Sequence, residues 1–192
     1  MEREMDLRGK EAVSLSSLVK QEYQIPDSYY FGEVKRGLRN SDGTGVLIGV
    51  TKVGSVQGYL IEDGRRIPVP GKLYYRGIDL NEIVEAHRKS GTFGYEEVAY
   101  LLLMGHLPTK SELSYFNDIM CRARKLPEGF TEGMIMRHPS RDIMNDLARS
   151  VLLLYSYDEN PDDISAENLL TQSIKLIGSF PAIVANAYAV NR

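Results

Sequence analysis

The sequence predicts a mainly α-helical domain preceded by a small antiparallel β unit. Three observations lead there. Glycines at 43, 45, 49, 54, 58 and 64 punctuate short β-prone pieces between Gly37 and Arg76. From Gly77 onward, apolar residues recur at helical spacing between cap and stop signals. Two late stretches, 140–157 and 166–190, have the length and apolar content of buried helices.

Residues 1–36 read as an N-terminal arm. Ser14 or Ser16 can cap a short helix that Pro26 ends, and the Tyr29-Tyr30-Phe31 triplet reads as packing surface. Residues 37–76 form the β-rich segment, with the pieces VLIGVTKV, SVQGYLIE, RRIPV and KLYYRG. Asp63-Gly64 between two of them is a hairpin signal, so 46–75 is expected to hold two to four strands. SDGTG at 41–45 lacks the Gly-Lys-Ser/Thr ending of a phosphate loop and no long helix follows it, which makes it a turn.

Residues 77–192 form the helical portion. Asp79 can cap LNEIVEAHRKS, whose Leu80, Ile83, Val84 and His87 share one side and whose stop is Gly91. TFGYEEVAYLLLMGHL follows, beginning near Thr92 or Tyr95 and ending at Gly105. Thr109 with Glu112 three residues on is a capping box for the next helix. Leu126-Pro127 and His138-Pro139 mark breaks, and Asn160-Pro161-Asp162-Asp163 links the last two helices. The final helix is still running at Asn191-Arg192, so a truncated large domain is expected.

A chain of 192 residues suffices for one compact core. Its net charge of -3 offers no electrostatic case for nucleic acid. Cys121 is the only cysteine, which removes intrachain disulfides and suits a reducing cytoplasm. No apolar run approaches the roughly 20 residues that span a bilayer, and the charged start MEREMDLRGKEAV is no signal peptide. A cytoplasmic protein with no membrane partner is expected.

Chemistry is sparse. His87 lies beside Arg88 and Lys89 and reads as a solvated helix residue. His106, after Gly105, suits a helix end where imidazole meets the last carbonyls, and His138 precedes Pro139 in a loop. No two histidines stand at metal-ligand spacing, so no metal site is expected. Cys121, flanked by Arg122 and Arg124, has no placeable base and reads as buried or idle. Asp158, Asp162 and Asp163 read as solvated caps. No nucleophile, base and oxyanion donor assemble, so no catalytic residue is assigned.

GKLYYRGIDLNEIVE resembles the Arg-Gly region at the start of the large domain in citrate synthases. EEVAYLLLMGHLPTKSEL is similar to that family's next segment, where a buried helix ends in Gly-x-Leu-Pro-Thr. GLRNSDGTGVLIGVTKVGSVQGYLIEDG, HPSRDIMNDLARSVLLLYSYDENPDD and KLIGSFPAIVANAY resemble further pieces in the family's order, over about 37–192. The resemblance implies a Si-type citrate synthase fold: a multi-helical large domain, here incomplete, in a homodimer. It also implies condensation of acetyl-CoA with oxaloacetate and hydrolysis of citryl-CoA. In the family a histidine polarises the thioester carbonyl, an aspartate removes the methyl proton, a second histidine activates oxaloacetate, and arginines clamp its carboxylates. The family needs no metal, and acetyl-CoA is a substrate rather than a cofactor. None of those residues has a motif here, so an N-terminal part without turnover of its own is expected.

Arg39 in RGLRNSDG is the nearest counterpart of the family's arginine near the CoA phosphates, with a surface arginine beside a turn as the other reading. Arg76 is expected to pair with Asp79 or Glu97. Two other functions stay open: part of a 2-methylcitrate synthase, which uses propionyl-CoA, and a non-catalytic helical assembly module.

Overall fold

The structure is a computed structural model, and it describes Ser17, Val19, Lys20, Pro26, residues 44–46 and residues 50–192. Thr109–Arg192 forms one compact unit, and the described residues from Val19 to Pro108 form the other. The described chain is mainly helical with one small antiparallel sheet, as expected.

In the Val19–Pro108 unit, β1 (Gly54–Glu62), β2 (Arg65–Tyr75) and β3 (Ile78–Asp79) pair in the order β1-β2-β3. Both connections are two-residue turns. Asp63 and Gly64 have φ of 48° and 72°, and Arg76 and Gly77 have 50° and 84°. Two successive positive φ values are what a type I′ hairpin requires, since its twist matches that of the strands. Arginine is disfavoured there. The Arg76 N–H donates to the Val53 carbonyl at 2.9 Å, and its guanidinium donates to the Leu102 carbonyl from Nη2 at 2.8 Å and Nε at 3.3 Å. These bonds hold the residue in its turn.

RRIPV and KLYY, expected as separate pieces, are one strand. The pairing slips between Gln57–Lys72 and Tyr59–Pro68, so Gly58 on β1 and Val69-Pro70-Gly71 on β2 drop out of register. A bulge thus absorbs the Pro-Gly breaker without ending the strand. From VLIGVTKV, Val46 and Val50–Val53 lie outside the strands, and 47–49 fall outside the described residues.

Asp79 caps α1 (Leu80–Ser90), its Oδ1 accepting from the Asn81 N–H at 2.9 Å. Gly91, at φ 67°, closes the helix by donating to the His87 carbonyl. Ile83 is buried, but Val84 is 56% exposed, so the expected apolar side is narrower by one residue. α2 (Tyr95–Met104) buries Ala99, Tyr100, Leu101 and Met104 and ends at Gly105 in a left-handed conformation.

In the Thr109–Arg192 unit, the capping box is realised. Thr109 Oγ1 accepts from the Glu112 N–H at 3.3 Å while Glu112 Oε2 accepts from the Thr109 N–H at 2.7 Å. It starts α3 (Lys110–Ala123), which buries Phe116, Ile119, Met120 and Ala123. A π-helical turn, Thr131–Met136, follows the Leu126-Pro127 break. α4 (Ile143–Leu154) is shorter than the expected 140–157, because Asp142 caps it and Tyr155–Tyr157 tightens into a 3₁₀ turn. α5 (Ala166–Val190) matches the expected bounds, with Ser165 as cap.

α5 is the central helix of its unit, packing on α3, α4 and the π-helical turn. Phe130, Ile135, Ile183 and Ala187 form a buried cluster there, and Gly178 lies against Ala123 of α3. By length and composition alone α5 could also cross a bilayer. A count of uninterrupted apolar runs overlooked this, because polar residues such as Gln172 and Lys175 interrupt its sequence.

Ser150 on α4 is fully buried, and its Oγ has no hydrogen-bond partner. An unsatisfied hydroxyl in such a place is destabilising. Ser150→Ala is therefore expected to raise stability by roughly 1 kcal/mol, read as a higher denaturant midpoint at unchanged slope.

Candidate functional site

Among the described residues, each unit holds a cluster of charged and polar side chains that is largely shielded from water. In the Val19–Pro108 unit, α1 ends and α2 begins across the tight connection Gly91–Gly94. That reversal returns Glu97 of α2 to His87 of α1, with Nε2 2.8 Å from Glu97 Oε2. On the other side of the ring, His87 Nδ1 lies 2.8 Å from Thr92 Oγ1, which is 2.7 Å from Ser90 Oγ. Ser90 also reaches the Ala86 and His87 carbonyls. The His87 and Glu97 side chains are only 18% and 25% exposed, so the solvated reading of His87 is overturned. Charged neighbours in sequence hid a contact made by residues ten positions apart.

Gly94 sits against that ring. A Cβ there would stand 2.5 Å from His87 Cδ2 and 2.6 Å from Nε2. The Gly94 backbone, at φ -99° and ψ 9°, itself accepts any residue, so the obstruction is the imidazole alone. Gly94→Ala is expected to turn the ring away from Glu97 and lower stability by about 1 kcal/mol. Chemical denaturation checks it, and His87→Ala should remove the penalty by opening the space.

In the Thr109–Arg192 unit, Asp146 of α4 is 1% exposed. Its Oδ1 pairs closely with Arg149 Nη2, and Oδ2 accepts from the Ser140 N–H at 3.3 Å and from Asn191 Nδ2 at 3.5 Å. Arg149 Nη2 also donates to the His138 carbonyl at 2.8 Å. The group ties the loop before α4 to α4 itself and to the end of α5. Sequence reasoning missed it; the i, i+3 spacing of Asp146 and Arg149 was its only signal.

The other candidates disperse. Arg39 lies outside the described residues. His106 is exposed and meets the Tyr100 ring edge-on at 5.6 Å. His138 is exposed and contributes its carbonyl. Cys121 is exposed, so the buried alternative falls. Arg76 reaches the Leu102 carbonyl, while Glu97 takes His87. Asp158 and Asp163 brace their loop as caps, Asp158 accepting from the Asn160 N–H at 3.0 Å and Asp163 from the Ser165 N–H at 2.8 Å. Asp162 accepts from the Tyr155 hydroxyl at 2.9 Å, and that hydrogen bond, then its charge, hold the phenol above its usual range. Among the described residues, no three His, Cys, Asp or Glu side chains gather as a metal would need.

Comparison with known proteins adds a family. Residues 42–192 match the family model described as citrate synthase, C-terminal domain. The chain is 30% identical over 162 residues to the citrate synthase of Haloferax volcanii, covering 82% of this chain and 37% of that protein. It is also 30% identical over 116 residues to the 2-methylcitrate synthase of Shewanella oneidensis, covering 60% of this chain and 28% of that one. Among solved structures, the citrate synthase of Pyrobaculum aerophilum superposes with a TM-score of 0.61 at 28% identity, over 84% of this chain and 41% of that one. The chain thus spans well under half the length of these relatives.

Proposed function

The chain belongs to the citrate synthase family, and from that premise we propose that it is the N-terminal part of an enzyme that condenses acetyl-CoA with oxaloacetate and hydrolyses citryl-CoA. The carrying observation is the unbroken family match from 42 to 192. In this role the chain supplies frame rather than chemistry. Its described histidines serve helix ends and loops: His87 braces the α1–α2 connection, His106 meets Tyr100, and His138 lends a carbonyl to Arg149. Turnover then needs groups carried by the rest of the enzyme. A cytoplasmic location fits the lone Cys121.

Assembly as a homodimer is part of the same proposal. Met144 and Leu152 on α4 are 68% and 74% exposed, and Tyr155 beyond them is 54% exposed. With Ala148 they form an apolar stripe at helical spacing, a surface that favours a covering partner. Sedimentation of the chain should show a dimer that Leu152→Glu converts to monomer. A parent chain that is monomeric at high concentration would remove the dimer.

The activity test follows thioester absorbance, because exposed Cys121 would consume a thiol reagent. The 192-residue chain alone should show no oxaloacetate-dependent loss of acetyl-CoA. Joined to the remainder of the enzyme it is proposed to begin, it should turn over acetyl-CoA faster than propionyl-CoA. Robust turnover by the chain alone sinks the frame role. Faster use of propionyl-CoA moves the assignment to 2-methylcitrate synthase, which the Shewanella oneidensis relative favours as second reading. A folded complex without any turnover would favour the assembly module.

A further inference from the structure

We propose that Glu97, His87 and Thr92 form a carboxylate–imidazole–hydroxyl relay that makes Thr92 an acyl acceptor toward activated aryl esters. This activity is separate from citrate synthesis and uses only residues of the Val19–Pro108 unit. Hydrogen-bond chemistry sets the direction of the relay. An ionised Glu97 only accepts, so His87 Nε2 must carry the proton in the 2.8 Å contact. In the neutral ring Nδ1 is then bare and accepts from the Thr92 hydroxyl, 2.8 Å away. Thr92 Oγ1 then accepts from Ser90 Oγ at 2.7 Å, the shortest of that hydroxyl's contacts, the others being the Ala86 and His87 carbonyls at 3.0 and 3.2 Å. Protons therefore point one way, from Ser90 through Thr92 and His87 to Glu97, and each bond polarises the next.

Position supports the role. His87 and Glu97 are largely covered, whereas Thr92 is exposed and open to a substrate. The Thr92 N–H is bonded to the His87 carbonyl at 3.1 Å and Gly94 lies against the ring, so hydroxyl and base are held in place before substrate arrives.

In the step, Thr92 Oγ1 attacks the ester carbonyl carbon while its proton passes to His87 Nδ1, and Glu97 stabilises the imidazolium. The new Oγ1–C bond forms, the aryl C–O bond breaks, and the electron pair leaves on the phenolate. His87 then gives its proton to solvent. An aryl leaving group departs without protonation, and water at the exposed Thr92 solvates the oxyanion. The product is acyl-Thr92, formed once per chain rather than in turnover.

The test uses the full chain carrying Cys121→Ser, since exposed Cys121 is itself a nucleophile. It is incubated with p-nitrophenyl acetate and mapped by peptide mass spectrometry. Acetylation at position 92 is expected, absent in Thr92→Val and kept in Thr92→Ser. General-base assistance is on the order of 10²–10⁴ in rate. His87→Gln should thus slow labelling about tenfold or more, with circular dichroism showing that the variant still folds. A smaller drop, or acetylation confined to other residues, overturns the relay. Glu97→Gln gives a second route: the amide keeps the shape, and labelling as fast as in the parent also overturns it.

Discussion

Gly178→Ala is expected to destabilise the Thr109–Arg192 unit by about 2 kcal/mol, a fall in melting temperature of about 8–16 °C for a unit of this size. A Cβ at 178 would stand 2.5 Å from Ala123 Cβ, 2.9 Å from the Ala123 carbonyl carbon and 3.1 Å from its oxygen. Two of those three atoms are backbone, so no side-chain rotation clears the space and α3 and α5 must separate. Overpacking of this kind costs roughly 1–3 kcal/mol, and alanine's better helix propensity offsets about 1. The obstruction is rigid, so the upper part of the range applies. Adding Ala123→Gly should restore part of the loss by removing the facing methyl. An unchanged or higher melting temperature in Gly178→Ala would show that the helices do not meet so closely.

Arg149→Met is expected to lose about 3 kcal/mol. Asp146 is 1% exposed and would keep only the Ser140 N–H and Asn191 as donors. Stranding a buried charge costs roughly 3–5 kcal/mol. The lower end is taken because the Arg149 side chain is 35% exposed and water screens the pair. Arg149 also leaves the His138 carbonyl without its donor. Asp146→Asn on top of Arg149→Met should regain stability, since a neutral amide needs no counter-charge. Chemical denaturation of the three variants decides the matter. Equal midpoints for Arg149→Met and the parent would mean that the pair contributes nothing.

What could be read in advance was whatever local chemistry settles within a few residues. Asp79 and Gly91 bound α1, Thr109 with Glu112 opens α3, and Asp63-Gly64 turns the hairpin; each works through its own backbone neighbours. The span of α5 was legible from its length and apolar content, while its cap, Ser165, went unread. Where distant residues decide, the reading failed. Glu97 reaches His87 only because the connection between them folds back, and the charges of Arg88 and Lys89 suggested solvent instead. Asp146 sits in MNDLARS, which looks like an exposed polar turn of helix until Arg149, Ser140 and Asn191 converge on it. Pro70-Gly71 looked like a strand end, yet continued pairing of Lys72–Tyr75 with β1 carries the strand past it. The family was legible from the order of its segments, which is a property of the frame and tells nothing about reacting groups.

The slipped register of the hairpin bears on colloidal behaviour. Val56, Ile61 and Ile67 are 82%, 53% and 38% exposed on this ribbon, and apolar strands of that kind recruit neighbouring chains into fibrils. Pro68 and Pro70 leave β2 without amide donors at two alternate positions, within and beside the irregular stretch. An incoming strand would find a broken ladder there. The irregularity that interrupts the hairpin's own pairing thus also blunts the part of the β2 edge that β3 leaves uncovered.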